Sequence, residues 1–156
     1  MIERRKYIPL GFLQPDVLAS DLCFLMPDAT LYHFGVLSSA MHVAWVRQVC
    51  GRLKSDFRYS AKLVYNNFPW PVAPNATRRA AVETAAAKVL AVRAEHPDST
   101  LADLYDPLAM PAKLVRAHTA LDRAVDRCYR GRPFANDRQR VEFLFSRYEQ
   151  FGADLQ

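Results

Sequence analysis

Residues Val64–Pro74 read VYNNFPWPVAP, and the chain changes character across them. Before this stretch it is rich in aromatic and β-branched residues. After it, Ala, Arg, Leu and Asp dominate. Pro69, Pro71 and Pro74 withhold backbone donors and disfavour helix at the residues just before them. The stretch therefore reads as a boundary between residues 1–74 and 75–156.

On the N-terminal side, KYIPLGFL (Lys6–Leu13) and SDLCFLMP (Ser20–Pro27) read as short strands closed by Pro or Gly. FRYSAKLVYNNF (Phe57–Phe68) alternates well enough for another. Between them, Leu37, Met41, Ala44, Trp45, Val49 and Leu53 recur at three-to-four spacing, which predicts a helix over 38–53 with Ser38 or Ser39 at its start. On the C-terminal side the pattern is helical. Asn75 caps a helix to about Ala94, with Val82, Ala86, Val89 and Leu90 on one face. Ser99 or Thr100 opens a short helix to Leu104. Pro111 suits a first helical position, and Leu114, Ala117, Leu121, Val125 and Cys128 form a stripe to Tyr129, with Gly131 as C-cap. Asn136 with Gln139 resembles a capping box, ahead of Val141, Leu144, Phe145, Tyr148 and Phe151. The expected fold class is α+β: short strands plus one long helix, followed by a small all-α bundle.

At 156 residues a chain buries roughly 68–70% of its unfolded surface, so a core needs no staples. No uninterrupted apolar run is long enough to span a bilayer, and MIERRKYIPL lacks a signal-peptide core, so the expectation is cytoplasmic with no membrane. Cys23, Cys50 and Cys128 are odd in number and far apart, which supports neither a disulfide framework nor a zinc knuckle. His33, His42, His96 and His118 have no metal-like spacing, so no metal site is expected.

Net charge is +5. Residues 1–75 hold eight Lys/Arg against five Asp/Glu (8 − 5 = +3), and residues 76–156 hold thirteen against eleven (13 − 11 = +2). The first half thus carries sparse, unopposed positive charge and the second a dense mixed surface. Asp122 and Asp126, interleaved with Arg123 and Arg127, read as an exposed ion-paired helix face. Cys50, beside Arg47 and Arg52, is either a thiol of lowered pKa or a buried, inert one.

The positive signal is VRQVCGRLKSDFRYSAKLVY. Arg47, Arg52, Lys54, Arg58 and Lys62 meet one acid, Asp56, and are interleaved with Phe57 and Tyr59. A helix end running into a basic strand suits phosphate contact. Tyr59 can stack or donate a hydrogen bond. Ser38, Ser39 and His42 are further candidates for groove contact. An ordinary basic turn explains the same residues. None of the five glycines builds a G-x-G-x-x-G turn or a phosphate loop, so no cofactor site and no catalytic residue is expected in this chain.

NNFPWP superficially matches the Asn-Pro-Pro-aromatic loop of enzymes that methylate a base amino group. Its order is wrong: Phe68 follows Asn67, and the prolines flank Trp70. A hinge, with Phe68 and Trp70 plugging the joint, is the better reading.

The string LYHFGVLSSAMHVAWVRQVCGRLKSDFRYSAKLVYNNFPWP (Leu31–Pro71) resembles the tail of the target-recognition domain of MmeI-like restriction–modification enzymes. LYDPLAMPAKLVRAHTALDRAVDRCYRGRPFANDRQRVEFLFSRYEQ (Leu104–Gln150) resembles the helical domain that ends those proteins. RRKYIPLGFL (Arg4–Leu13) and ASDLCFLMPDA (Ala19–Ala29) fit the recognition domain too. The resemblance implies a DNA sequence-recognition and scaffolding portion of a longer adenine-N6 methyltransferase and nuclease. Its partners would be double-stranded DNA and the upstream methyltransferase domain. S-adenosylmethionine would bind in that upstream domain. The alternative is that the helical half is a docking module for the methyltransferase core, with little DNA contact of its own, exposing an apolar patch that favours self-association.

Overall fold

In the computed structural model the described residues are 5–21, 23–53 and 56–153. They form six α-helices: α1 Leu31–Leu37, α2 Ala40–Val49, α3 Ala76–Ala94, α4 Leu101–Leu104, α5 Ala112–Tyr129 and α6 Asp137–Ala153. A π-helical turn covers Ala61–Tyr65. The only strand pairing among the described residues is antiparallel β1 (Gly51–Leu53) with β2 (Asp56–Arg58), three residues a side. That is too short to make a sheet layer. The α+β expectation is therefore wrong, and the fold is all-α.

The three expected strands fail for separate reasons. In Lys6–Leu13 the chain turns at once, with the Leu10 amide donating to the Ile8 carbonyl (3.0 Å). Its apolar side chains pack on helices: Tyr7 is buried, and Ile8 and Leu10 pack against the core. Ser20–Pro27 turns where the Cys23 amide donates to Ser20 (3.0 Å), and it exposes Phe24 and Leu25. In Phe57–Phe68 the Asn66 amide donates to the Ala61 carbonyl five residues back (2.9 Å), closing a π-turn. Val64 is fully buried there, and its carbonyl accepts the Trp45 indole N–H at 3.0 Å.

The helix expected over 38–53 is present as α2, with Ser39 at its N-cap as expected, but it ends at Val49 and Gly51–Leu53 form β1; α1, over Leu31–Leu37, precedes it and was not expected. Ser39 is extended (φ −84, ψ 162) and its hydroxyl donates to the Val36 carbonyl at 2.7 Å. This is the local bonding by which serine competes with helix continuation. The break lets α1 lie against α3 at Gly35, where a Cβ would meet Val82 Cγ1 at 2.6 Å.

The C-terminal elements follow their caps. Asn75 Oδ1 accepts from the Arg78 amide (2.9 Å) and Thr100 forms a capping box with Asp103. Pro111 is the N-cap of α5, one position earlier than expected; the helix ends at Tyr129 as expected, with Arg130 rather than Gly131 as its C-cap. Asn136 Oδ1 accepts from the Gln139 amide (3.0 Å), but the Gln139 side chain turns to the Ala135 amide and Arg130 instead of completing a box.

Helices α3 and α5 pack along their length, α1 lies on α3, and α2 lies on α6. One hydrophobic cluster crosses the proline boundary: Tyr7, Trp45 and Val64 belong to it together with Leu121 and Leu144. At the boundary Phe68 is buried, edge-on to His42 (4.6 Å), while Trp70 meets Phe68 edge-on at 5.5 Å. The Tyr129 hydroxyl donates to the Pro69 carbonyl at 3.0 Å, tying α5 to the joint. No helix among the described residues is long and apolar enough to cross a membrane.

Candidate nucleic-acid interface

The basic ridge is built by three short elements in succession: the end of α2, the β1–β2 pairing and the π-turn. Arg58 closes β2 opposite Gly51 and is exposed. Lys62 stands exposed on the π-turn. Neither has an acidic partner among the described residues. The turn that presents Lys62 is held from outside its own backbone. Asn67 Nδ2 donates to the carbonyls of Lys62 (2.9 Å) and Leu63 (3.1 Å). The asparagine of NNFPWP is thus a clamp on a turn rather than a group aimed at a base.

Arg47 is placed differently. Its guanidinium donates to Asp137 Oδ2 of α6 (3.2 Å) and to the Arg5 carbonyl (3.3 Å). It lines a cleft of about 320 Å³ between α2 and α6, with Ala44, Gln48, Asp137, Arg138 and Val141. Arg52 lies in β1 with its side chain outside the described set, and Lys54 lies outside the described residues.

The remaining candidates sit in the core. Ser38, Ser39 and His42 are at 0%, 0% and 1% exposure, so their side chains have no surface to offer a groove. His42 Nε2 lies 3.1 Å from the Tyr59 hydroxyl, and burial lowers its pKa to about 3, which keeps the ring neutral. Tyr59 is half-buried between Phe24 (5.7 Å) and His42 (5.9 Å), and burial pushes its phenol up. Its ring and its hydroxyl are both already engaged. Cys50 is buried and its thiol pKa is raised, which selects the inert alternative.

The expected exposed pairing of Asp122 and Asp126 with Arg123 and Arg127 is not formed. Both carboxylates are buried. Asp122 accepts from the Tyr7 hydroxyl (2.8 Å) and the Ala40 amide (2.7 Å) at the start of α2. Asp126 accepts two hydrogen bonds from Arg140 of α6, at 3.0 and 2.7 Å. Arg140 also reaches Asp137 (3.0 Å), whose other oxygen holds Arg47. The ridge is therefore braced from α5 and α6. No spacing in the sequence marks these partners, because Arg47 and Asp137 are 90 positions apart.

A second buried network was equally silent. Arg93 donates to the Tyr105 hydroxyl and to the Leu10 carbonyl, and the same hydroxyl lies 2.7 Å from His118 Nε2. The Tyr7 ring stacks on His118 at 4.0 Å. Together these pin the irregular N-terminal segment onto α3 and α5.

Comparison with known proteins places this arrangement. The family described as "MmeI, target recognition domain" matches residues 1–72, and "MmeI, C-terminal domain" matches residues 73–156. The chain is 43% identical over 148 residues to DNA methyltransferase A of Bacillus subtilis (strain 168), covering 95% of this chain and 17% of that protein. It superposes with a TM-score of 0.92 on the type IIL restriction-modification enzyme MmeI, solved in complex with DNA. That match has 43% sequence identity and covers 97% of this chain and 20% of the MmeI chain. The chain belongs to the MmeI-like restriction–modification family, to whose target-recognition and C-terminal domains it corresponds. It spans about a fifth of the length of these relatives or less.

Proposed function

We propose that this chain is a DNA target-recognition and scaffolding module. In this reading Arg58 and Lys62 hold backbone phosphates of duplex DNA, in the cytoplasm, on behalf of an MmeI-like adenine methyltransferase. One observation carries it: two exposed cations without acidic partners stand on the π-turn and hairpin of the half that matches the recognition domain. Arg52 and Lys54 extend the same ridge in sequence. Arg47 contributes when its guanidinium is shared between Asp137 and a phosphate.

S-adenosylmethionine is assigned to the upstream methyltransferase portion of such a protein. The residues present do not fit it. Gly11, Gly35, Gly51 and Gly131 are scattered along the chain, no described glycine takes a positive φ, and the space at Gly35 is filled by Val82.

Duplex binding measured by fluorescence anisotropy across a salt series tests the reading. Each phosphate contact contributes about 0.9 to the slope of log K against log salt. Arg58→Ala with Lys62→Ala should lower that slope by about 2. An unchanged slope removes these residues from the interface.

A second reading is supported by the irregular segment before α1. Phe12, Leu13, Val17, Leu18, Phe24 and Leu25 are all exposed there, and a protein partner would cover such apolar side chains. Here the module docks on the methyltransferase portion and touches DNA little. Charge reversal at Arg58 that leaves duplex affinity untouched favours docking over grip.

A further inference from the structure

Because Asp122 and Asp126 are buried, the cations they were expected to neutralise stand alone. Arg116, Arg123 and Arg127 are exposed on α5, and no ion pair involves any of them among the described residues. At 3.6 residues per turn, steps of seven and four keep all three within a narrow line, about 16 Å long from first to last. Ala120, also exposed, lies within the line and is too short to screen it.

Elsewhere on the helices three exposed cations are paired, while Arg78 and Lys88 of α3 are, like the stripe, exposed and in no ion pair among the described residues. Arg79 pairs with Glu83, Arg138 with Glu142, and Lys113 with Glu95. Helix α3 runs antiparallel beside α5, since the Arg78 backbone carbonyl accepts from the Cys128 thiol near one end and Glu95 meets Lys113 near the other. The sole acid within α3, Glu83, is already paired with Arg79. Neither α5 nor the helix packed along it supplies an acid to this face. Unopposed like charges in a row cost stability through mutual repulsion, and a polyanion relieves that cost.

We propose that the outer face of α5 is a second phosphate-binding surface for duplex DNA, carried by Arg116, Arg123 and Arg127 and separate from the Arg58–Lys62 turn. The inference rests on the reading of the chain as a DNA-recognition module and extends it to the half that matches the C-terminal domain. A line of about 16 Å faces several phosphates, because duplex DNA carries one charge per ~1.7 Å of axis.

The test is duplex anisotropy across a salt series with the full chain and three triple variants. Arg116→Ala, Arg123→Ala and Arg127→Ala together should weaken binding at least ~10-fold at low salt and lower the salt slope by about 2 to 3. The same three positions changed to Lys should restore both, which separates charge from folding; melting temperatures of all variants are compared alongside. A control that removes Lys6, Arg138 and Arg147 should lower the slope by less than half as much.

Equal losses in the control overturn the proposal in favour of net charge. A stripe variant with wild-type slope and affinity, while Arg58→Ala with Lys62→Ala lowers them, also overturns it. That outcome assigns the stripe to solvent or to an acidic protein surface and leaves the recognition reading standing. Salt-insensitive binding by the wild type, with both sets of variants silent, overturns the recognition reading itself.

Discussion

The Tyr7 hydroxyl donates to Asp122 Oδ2 at 2.8 Å across 115 positions of sequence, and the other oxygen of that carboxylate accepts the first amide of α2. One buried acid on α5 therefore joins the N-terminal segment to the helix that precedes the basic ridge. Desolvation raises the Asp122 pKa, while the two hydrogen bonds and Arg140 oppose that rise.

Asp122→Ala should destabilise the chain by about 2–4 kcal/mol, since it strands a buried hydroxyl and a partly buried amide together. Tyr7→Phe removes a single bond and should cost about 1 kcal/mol. Urea denaturation of the two variants measures the difference. Equal losses would mean that the Ala40 contact contributes nothing.

Arg140 and Asp126 form a pair at 12% and 8% side-chain exposure. Removing Arg140 alone leaves a buried carboxylate uncompensated and should cost about 3–5 kcal/mol. Removing both partners should cost clearly less than the sum of the two single losses. A double-mutant cycle in urea reads the coupling, and simple additivity contradicts the pairing.

His42 and His118 both have pKa values lowered to about 3, the first by burial and the second by burial with Arg93 nearby. In the unfolded chain each titrates near 6.5. The unfolded state thus binds more protons between those values, so the stability from these rings is present above about pH 6.5 and is lost as pH falls toward 3. The expected slope is on the order of 1 kcal/mol per pH unit for each histidine. Asp122, with its pKa raised, works in the opposite direction just above the ordinary carboxylate range. Urea midpoints from pH 7 to pH 4 should fall steadily, and His118→Gln should flatten that fall by about half.

Gly35→Ala places a methyl 2.6 Å from Val82 Cγ1 and 3.2 Å from Leu121 Cδ1. Both neighbours are fully buried. Overpacking of about 1–3 kcal/mol outweighs the roughly 1 kcal/mol gained from helix propensity. Calorimetry should show the melting temperature lowered by a few degrees, and a rise would show that α1 can shift away from α3.

Much of the C-terminal half was legible because its signals are local. Asn75, Thr100 and Asn136 satisfy amides within three residues of themselves. Val82, Ala86, Val89, Leu114, Leu121, Val125 and Leu144 are buried where helical periodicity places them. The strands were misjudged because alternation in Phe57–Phe68 does not distinguish a ladder from a π-turn that buries Val64 and Phe68 against Trp45 and His42. Arg58 and Lys62 are exposed. The burial of Ser38, Ser39 and His42 was invisible, since polar side chains report their hydrogen-bond partners only in three dimensions.

By itself the sequence determined the helical character of most of residues 76–153, the family and the basic run from Arg47 to Lys62. These depend on residue type and on contacts a few positions apart. Only the tertiary structure decided that the described residues of 5–30 form no sheet, that Asp122 and Asp126 face inward, and that Arg47 is held by Asp137. Those outcomes turn on which distant groups meet in the core. A buried carboxylate must find its donors wherever the chain brings them, and no local periodicity records where that is.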